Sequence, residues 1–452
     1  MFLISRAHLF ILPLLLTLLG GCQPKVYLMP PPVGLQSDTE SQFFHMSEDS
    51  TDDNLLYTLY ATNRIPFNKM DSSTGYSIFP SDKLEIGFVV YSVGDEDMSW
   101  DDIYEQSLKE KRDKDLLLSQ EFIREGAQYY KYDDIQQTSS RAKGFFNQIN
   151  RAIDTSFDKD ITIYVHGANS NFYRATAQGA QFFHYTGHNS IILTFSWPSA
   201  ENLLKYKTDV LHAQKTIPAF AGLIEILAEH TKARNINILA YSAGAQVAAP
   251  GLAYLRDLYP AVSAEELKER LRIGEVYFAA PDTDFQAFTE RYLKFKDIVN
   301  RTTINLNQND KILRLAAFQN GVSRLGRPDV SELTAEEGEL IIAALKTPQL
   351  NVLDVGGSEA LEVGSAHNSW YSHPWVSNDL IMLLLFNADP EERGLLAHYN
   401  EMGVKKYYFP HGYDQNIRQL MREQKQKLLQ RNLAEQEEKA REEKTGQPKT
   451  LL

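Results

Sequence analysis

Cysteine is almost absent from this sequence. Cys22 is the single cysteine among 452 residues. One cysteine cannot form a disulfide within the chain, and it cannot build a zinc site from cysteine thiolates. Composition leaves open a metal site made of histidines and carboxylates; we predict none.

Basic residues are also few, since 46 Lys and Arg stand against 59 Asp and Glu, a formal net charge of −13. Nucleic-acid phosphates require a basic face, so this balance argues against a nucleic-acid partner. With 43% hydrophobic and 23% charged residues, the composition excludes a wholly disordered chain or a low-complexity fibre. The length is ample for a sizeable hydrophobic core.

The apolar run near the N-terminus is too short to span a bilayer. It extends over Leu9–Leu19, whereas a membrane-spanning helix needs about 20 apolar residues. Arg6 precedes the run and Gly20-Gly21 follows it. A charged start, a short apolar centre and small residues at the end are typical of a secretory signal peptide, which we predict over residues 1–21.

The end of this segment, Leu19-Gly20-Gly21-Cys22, resembles a bacterial lipoprotein cleavage site. The resemblance implies that Cys22 is lipidated, becomes the mature N-terminus and anchors the protein to a membrane. Gln23 stands where an aspartate would cause retention at the inner membrane in Gram-negative sorting. This favours a bacterial envelope protein on the outer membrane, facing the periplasm. The alternative is a plain signal peptide with an incidental cysteine.

The rest of the sequence divides into three regions. Residues 22–54 contain prolines followed by acidic residues, which indicates a solvated tether. Residues 55–400 form the main domain. Residues 401–452 form a charged helical tail with a thin apolar stripe at Ile417, Leu420, Met421 and Leu428. This pattern favours a solvated, fraying tail; the alternative is a helix that docks on a protein partner.

Strand-like and helix-like segments alternate through the main domain. Such alternation predicts an α/β protein with a mainly parallel sheet and helices on its faces. Several of the strands are unbroken apolar runs, as expected for strands that are buried on both faces. The expected strands are Leu56–Tyr60, Leu84–Tyr91, Ile161–Val165, Ile191–Phe195, Ile236–Ala240, Ile273–Phe278, Thr302–Leu306 and Val352–Val355.

The most informative stretch places a serine between a strand and a helix. The strand Ile236–Ala240 runs into Tyr241-Ser242-Ala243-Gly244 and then into an alanine-rich segment. A nucleophilic serine on such a tight turn has strained backbone geometry. The residues two positions away on each side must be small; Gly244 meets this demand, and Ala240 replaces the usual glycine. The Ala243 N–H can point at a developing oxyanion.

A second strand and loop provide the other oxyanion donor. Ile161–Val165 leads into His166-Gly167-Ala168-Asn169. Gly167 lets the backbone turn sharply, and the Ala168 N–H is the candidate donor. His166 could be read as catalytic, but we expect it to order the loop by hydrogen bonding.

These motifs together resemble the α/β-hydrolase superfamily, and more narrowly a bacterial branch of largely uncharacterised, esterase-like proteins. The resemblance covers roughly Leu56 to Leu385. It implies an α/β-hydrolase fold with a mainly parallel sheet of about eight strands, helices on both faces, and a triad in the order serine, acid, histidine. The motifs that carry it are Val165-His166-Gly167, Phe195-Ser196-Trp197-Pro198, Ala240-Tyr241-Ser242-Ala243-Gly244, Tyr60-Ala61-Thr62-Asn63-Arg64, Ala279-Ala280-Pro281-Asp282, Asn309-Asp310 with Leu313 and Leu315, and Arg324-Leu325-Gly326.

Acid and base are then sought downstream of Ser242. His367 follows the last expected strand and a glycine-rich loop, where a base must reach over the serine. Two aspartates compete for the acid. Asp310 follows the strand directly before the histidine loop, and Asp282 follows the strand before that one. The common arrangement favours Asp310, with Asp282 as the alternative; we expect the other aspartate to cap a helix.

The predicted protein is a serine hydrolase that cleaves carboxylic esters through an acyl-enzyme, with thioesters or lipids as further substrates. Ser242, His367 and Asp310 are its triad, Ala168 and Ala243 its oxyanion hole, and no cofactor is implied. The substrate would be a small-molecule or lipid ester. The alternative is a catalytically silent hydrolase scaffold that acts as a binding or envelope-assembly lipoprotein. Candidate lid segments are Pro281–Asn300 and Phe318–Pro348.

Overall fold

The computed structural model describes residues 25–36, 54–67, 75–130, 135–136, 138–200, 205–329, 331, 334–359, 361, 363–364, 366–401 and 403–445. Cys22, the predicted signal peptide and much of the predicted tether lie outside these residues. None of the helices within them combines the length and the hydropathy that crossing a bilayer requires.

The centre of the fold is one sheet, which has eleven strands within the described residues. The strands are β1 Leu55–Pro66, β2 Tyr76–Val93, β3 Leu118–Tyr130, β4 Ile161–Val165, β5 Ile191–Phe195, β6 Ile236–Tyr241, β7 Ile273–Ala279, β8 Val299–Leu306, β9 Leu350–Asp354, β10 Leu396–Tyr399 and β11 Lys405–Tyr408. Their spatial order is β10-β11-β9-β8-β7-β6-β4-β5-β1-β2-β3.

Most strand pairs are parallel, and the antiparallel pairs lie at the two ends of the sheet. The prediction of an α/β-hydrolase fold with a mainly parallel sheet is confirmed. All eight expected strands are present, and β3, β10 and β11 were missed. β3 is rich in polar residues, and β10 and β11 have four residues each, so none of them has the apolar run of a buried strand.

Helices cover both faces of the sheet. The two faces are separated by the side-chain alternation of the strands: in β4, Ile163 and Val165 join one hydrophobic cluster and Tyr164 joins the other. The helices are α1 Trp100–Leu108, α2 Ser140–Thr155, α3 Phe172–Tyr185, α4 Tyr206–His230, α5 Ala245–Leu258, α6 Ala264–Leu271, α7 Phe285–Phe295, α8 Lys311–Asn320, α9 Ala335–Leu345, α10 Ser369–Ser372, α11 Pro374–Phe386 and α12 Tyr413–Thr445.

Residues 25–36 are packed onto the domain, so the predicted solvated tether is wrong for this segment. Leu28, Val33 and Leu35 are buried. The Leu28 N–H donates to the Leu116 carbonyl, and the Gly34 N–H donates to Oδ1 of Asn378 on α11. The apolar residues interspersed among the prolines contribute to the cluster that contains α3 and α11, which stabilises the segment by removing apolar surface from water.

The predicted tail is also part of the domain over much of its length. β11 pairs with β9 and β10 pairs with β11, so the domain continues past residue 400. On α12, Ile417, Met421 and Leu428 are buried. The apolar stripe therefore packs within the chain, and the interpretation of residues 401–452 as a solvated tail is wrong for β11 and for the first half of α12.

Candidate active site

Ser242 lies at the junction of β6 and α5. β6 ends at Tyr241, and a short 3-10 turn over Ser242–Gly244 leads into α5. Ser242 has a φ of 51°, a left-handed conformation that costs a residue with a side chain about 1–3 kcal/mol. Its side chain sits at the carboxyl edge of the parallel strands, which is where loops from several strands meet.

The turn depends on small residues around the serine. A Cβ on Gly244 would lie 2.4 Å from the Val165 carbonyl oxygen and 2.8 Å from that of His166. Both distances are shorter than real contacts allow, so the α5 start can cross the end of β4 only as glycine. Ala240, two residues before Ser242, is fully buried, and its methyl group is accommodated in the hydrophobic cluster of that face.

The three residues predicted as a triad are hydrogen-bonded in series. His367 Nε2 lies 2.8 Å from Ser242 Oγ, and His367 Nδ1 lies 2.7 Å from Asp310 Oδ2. A carboxylate only accepts hydrogen bonds. The ring therefore donates from Nδ1 to Asp310, which leaves Nε2 as the acceptor for the Ser242 hydroxyl proton. Asp310 is fully buried, and Ser242 is 8% exposed.

Asp310 is also the N-cap of α8. Its Oδ1 accepts from the backbone N–H groups of Ile312 and Leu313, both at 2.9 Å. One carboxylate oxygen therefore holds the helix and the other holds the histidine. From the sequence, we expected a helix cap only at the aspartate that is not the triad acid. In the structure, Asp310 contacts His367 and also caps α8.

Asp282 has other partners. Its Oδ1 accepts from Nε of Arg324 at 2.6 Å, and its Oδ2 accepts from the Tyr206 hydroxyl at 2.6 Å. It does not cap α7, since the cap there is Asp284, whose Oδ1 accepts from the Ala287 N–H at 2.7 Å. The expectation that Asp282 is a helix cap is therefore wrong, and its carboxylate is committed to a buried ion pair.

Backbone hydrogen bonds connect the serine turn to the loop that leads to Asp310. The Asp282 N–H donates to the Ser242 carbonyl at 3.0 Å, and the Gly326 N–H donates to the Pro281 carbonyl at 2.9 Å. The Asn307 N–H donates to the Gly326 carbonyl at 2.8 Å. A Cβ on Gly326 would lie 2.8 Å from the Pro281 nitrogen, so this approach requires glycine.

Asn307 is hydrogen-bonded to the segments that carry Asp310 and His367. The Asp310 N–H donates to its carbonyl at 3.1 Å, and its side-chain Nδ2 donates to the Gly364 carbonyl at 3.2 Å, three residues before His367. Sequence reasoning noted Arg324-Leu325-Gly326 only as a family mark and passed over Asn307. Nothing in the local sequence pattern shows that these segments meet.

The His166 loop lies against the serine turn. A Cβ on Gly167 would lie 3.1 Å from Ser242 Cβ, so the backbone that leads to Ala168 passes directly beside the serine. Ala243 is the second residue of the turn itself. The two predicted oxyanion donors, the Ala168 and Ala243 N–H groups, thus belong to the two segments that adjoin Ser242.

His166 stabilises this loop through contacts with Trp197. Its ring stacks on Trp197 with centroids 5.2 Å apart, and the Trp197 indole N–H donates to the His166 carbonyl at 2.7 Å. Burial, reinforced by the positive charge of Arg64, lowers the pKa of His166 to about 3. His166 Nδ1 lies 2.7 Å from the Gly167 carbonyl oxygen and Nε2 lies 3.1 Å from that of Trp197. With its pKa lowered, the ring is neutral at pH 7 and donates to one of these two carbonyls, in line with the expected ordering role. Trp197 is fully buried.

Aromatic rings surround His367. The Tyr241 ring lies 5.3 Å from the His367 ring and 5.2 Å from Trp370. Burial raises the pKa of Tyr241 well above its ordinary value, so its hydroxyl stays protonated. The candidate lid Pro281–Asn300 contains α7, whose Phe288 and Phe295 are buried in the core.

No group of three or more His, Cys, Asp or Glu side chains that could hold a metal ion occurs in the part of the chain that the structure describes. The groups at the site are a serine hydroxyl, an imidazole and a carboxylate in hydrogen-bond contact. This arrangement can activate a hydroxyl for attack on a carbonyl carbon without a bound group.

Comparison with known proteins assigns the chain to a family. A family model described as an alpha/beta hydrolase of unknown function (DUF900) matches residues 142–382, which include Ser242, Asp310 and His367. No protein with a curated description matches the chain. The match extends over more than half of the sequence and agrees with the resemblance seen in the motifs, so the chain belongs to this family of alpha/beta hydrolases.

Proposed function

We propose that this hydrolase is a serine esterase that cleaves carboxylic esters through an acyl-enzyme intermediate. The observation that carries the proposal is the hydrogen-bonded series from Ser242 Oγ through His367 to Asp310, at 2.8 Å and 2.7 Å. Both distances are within the range in which a base can take a proton from a serine hydroxyl.

In the first half of the reaction, Ser242 Oγ attacks the carbonyl carbon of the ester while its proton passes to His367 Nε2. The carbonyl oxygen becomes an oxyanion, which the Ala168 and Ala243 N–H groups stabilise by hydrogen bonds. The tetrahedral intermediate collapses, the bond to the alcohol oxygen breaks, and His367 returns the proton to that oxygen. The alcohol leaves and the acyl group stays on Ser242 as an ester.

In the second half, water replaces the alcohol. His367 takes a proton from the water, whose oxygen attacks the acyl carbon, and then gives the proton back to Ser242 Oγ as the acid leaves. Asp310 keeps Nδ1 protonated throughout and stabilises the imidazolium that forms in each half. Because its other oxygen is held by the start of α8, the carboxylate cannot turn away from the ring without breaking the cap.

A membrane location accompanies this proposal. The sequence features at residues 1–22 support export and lipidation of Cys22, and the structure describes the chain from Lys25 onward. Export would place the enzyme in the bacterial envelope, with thioesters or lipid esters among its accessible substrates. Replacement of Cys22 by serine should leave the precursor uncleaved or release the protein in soluble form; unchanged fractionation and mature mass would reject lipidation.

The esterase proposal is tested with a fluorophosphonate probe and a short p-nitrophenyl ester. The wild-type chain should be labelled and should hydrolyse the ester, and Ser242→Ala should lose both. Ser372→Ala is the matched control, because this serine donates to the Asn368 carbonyl near His367 and has no role in the reaction. A wild-type protein that is folded but neither labelled nor active would favour the silent scaffold instead.

A further inference from the structure

Helix α8 exposes an apolar stripe next to the proposed triad. The helix begins directly after Asp310, its N-cap. Its inner face buries Leu313 and Ala316. Its outer face and the residue that follows its C-terminal turn leave apolar side chains in solvent, with exposed fractions of 51% for Ile312, 54% for Leu315, 86% for Phe318 and 40% for Val322. Residues three apart lie on one side of a helix, so the first three form one continuous stripe.

The same segment is basic in an otherwise acidic protein. Residues 311–328 contain Lys311, Arg314, Arg324 and Arg327 and no Asp or Glu, although the whole chain has a formal net charge of −13. Arg324 is buried in its ion pair with Asp282. Lys311 and Arg314 are exposed beside the apolar stripe. An apolar stripe flanked by two exposed cations suits the surface of an anionic bilayer, where apolar side chains enter the interface and cations meet the headgroups.

The stripe lies at the edge of the sheet where the triad lies. α8 follows the carboxyl end of β8, and Ser242 follows that of β6; both strands are parallel to β7. A second exposed group lies beyond the carboxyl end of β5, at Ile65, Phe67 and Phe79 of the β1–β2 hairpin. Exposed apolar groups thus occur on both sides of the proposed active site, on one edge of the molecule.

We propose that this edge docks on an anionic lipid bilayer, and that the substrate is an acyl ester of the lipids in that bilayer. The substrate part rests on the proposed esterase function; the docking part does not. Charge favours a bilayer over a second copy of the chain, because a two-fold contact centred on the stripe would bring Lys311 and Arg314 close to the cations of the other copy. Anionic headgroups would instead neutralise them while the apolar side chains enter the interface.

Vesicle flotation tests the docking. The chain from residue 22 onward, carrying Cys22→Ser, contains every residue that the structure describes and has no acyl anchor. It should float with vesicles of equal parts phosphatidylcholine and phosphatidylglycerol, and much less with phosphatidylcholine alone. The double variant Leu315→Ser, Phe318→Ser should bind the mixed vesicles at least tenfold more weakly. Leu429→Ser with Leu433→Ser is the matched control, because these α12 leucines are 42% and 58% exposed, and its binding should equal that of wild type.

Docking is overturned if the wild-type chain does not float, if the control loses as much binding as the α8 variant, or if size exclusion shows a dimer that only the α8 variant abolishes. Turnover of a short soluble ester separates docking from the esterase proposal. This turnover should be the same in wild type and in the α8 variant, while hydrolysis of phosphatidylglycerol in vesicles falls with binding. A chain that floats and cleaves the soluble ester but no vesicle lipid would overturn the substrate part alone.

Discussion

Two aspartates that follow neighbouring strands end in different roles. Asp282 follows β7 and Asp310 follows β8, and both are buried at the same edge of the sheet. Asp310 holds the His367 ring and the start of α8, whereas Asp282 pairs with Arg324 and Tyr206. The position of an aspartate after a strand therefore does not determine whether its carboxylate contacts His367. The side chains that lie next to each carboxylate determine its partners.

The largest expected effect on turnover comes from removing the negative charge of Asp310. Asparagine keeps the cap, since Asn and Asp cap helices about equally well, but its amide can donate to Nδ1 and favours the wrong imidazole tautomer. In serine proteases this change lowers kcat about 10⁴-fold, and we expect a loss of several orders of magnitude for Asp310→Asn, measured as ester turnover per folded molecule.

Asp284→Asn is the matched control for this variant. Asp284 caps α7, and among the residues that the structure describes no histidine is hydrogen-bonded to it. Its turnover should stay near wild type. Asp282→Asn should lower the melting temperature more than the rate. An inactive Asp282→Asn together with a nearly wild-type Asp310→Asn would move the acid to the loop after β7.

The second prediction concerns the ion pair of Asp282. Arg324→Met would leave a buried carboxylate without its cation, and loss of one partner from a buried pair costs about 3–5 kcal/mol of folding free energy. Chemical denaturation should show a loss of this size. The double variant Arg324→Met, Asp282→Leu should recover much of the stability, because it removes the unpaired charge. Equal stability of Arg324→Met and wild type would show that the pair is not formed as described.

A third prediction extends the comparison to two histidines. His367 takes part in the proposed reaction, whereas His166 is buried with a pKa of about 3; an unfolded chain has a histidine pKa of about 6.5. Between these values the unfolded chain binds a proton that the folded chain does not bind. The stabilisation is therefore complete above about pH 6.5 and is lost as the pH falls towards 3.

At about 1.4 kcal/mol per pKa unit, His166 should contribute a loss of about 2 kcal/mol between roughly pH 6.5 and 5. His166→Asn should reduce the pH dependence of the free energy of unfolding by this amount, whatever its effect at pH 7. Parallel stability curves for the two proteins over this range would contradict the neutral, buried state of His166.

Sequence reasoning reached the centre of the sheet more easily than its ends. β4, β6 and β7 are apolar runs that pack on both faces, and such runs are recognisable locally. β10 and β11 are short and polar; they pair with each other, and only β11 joins them to the sheet, through β9 about 50 residues earlier in the chain. The N-terminal segment was misread for a related reason: its prolines indicate an extended tether, and only the presence of α3 and α11 beside it makes burial favourable.

Local patterns of apolar runs, small residues and a strand-to-helix junction predicted the serine turn and the alternating α/β fold. The order of serine, acid and histidine was implied by the resemblance to the α/β hydrolases. The tertiary structure alone decided the partners of the two carboxylates. Arg324 is 42 residues from Asp282, and His367 is 57 residues from Asp310. Contacts over such separations arise when loops from different strands meet at one edge of the sheet. The strength of a hydrogen bond depends on the distance and angle between donor and acceptor, and no local sequence pattern contains that information.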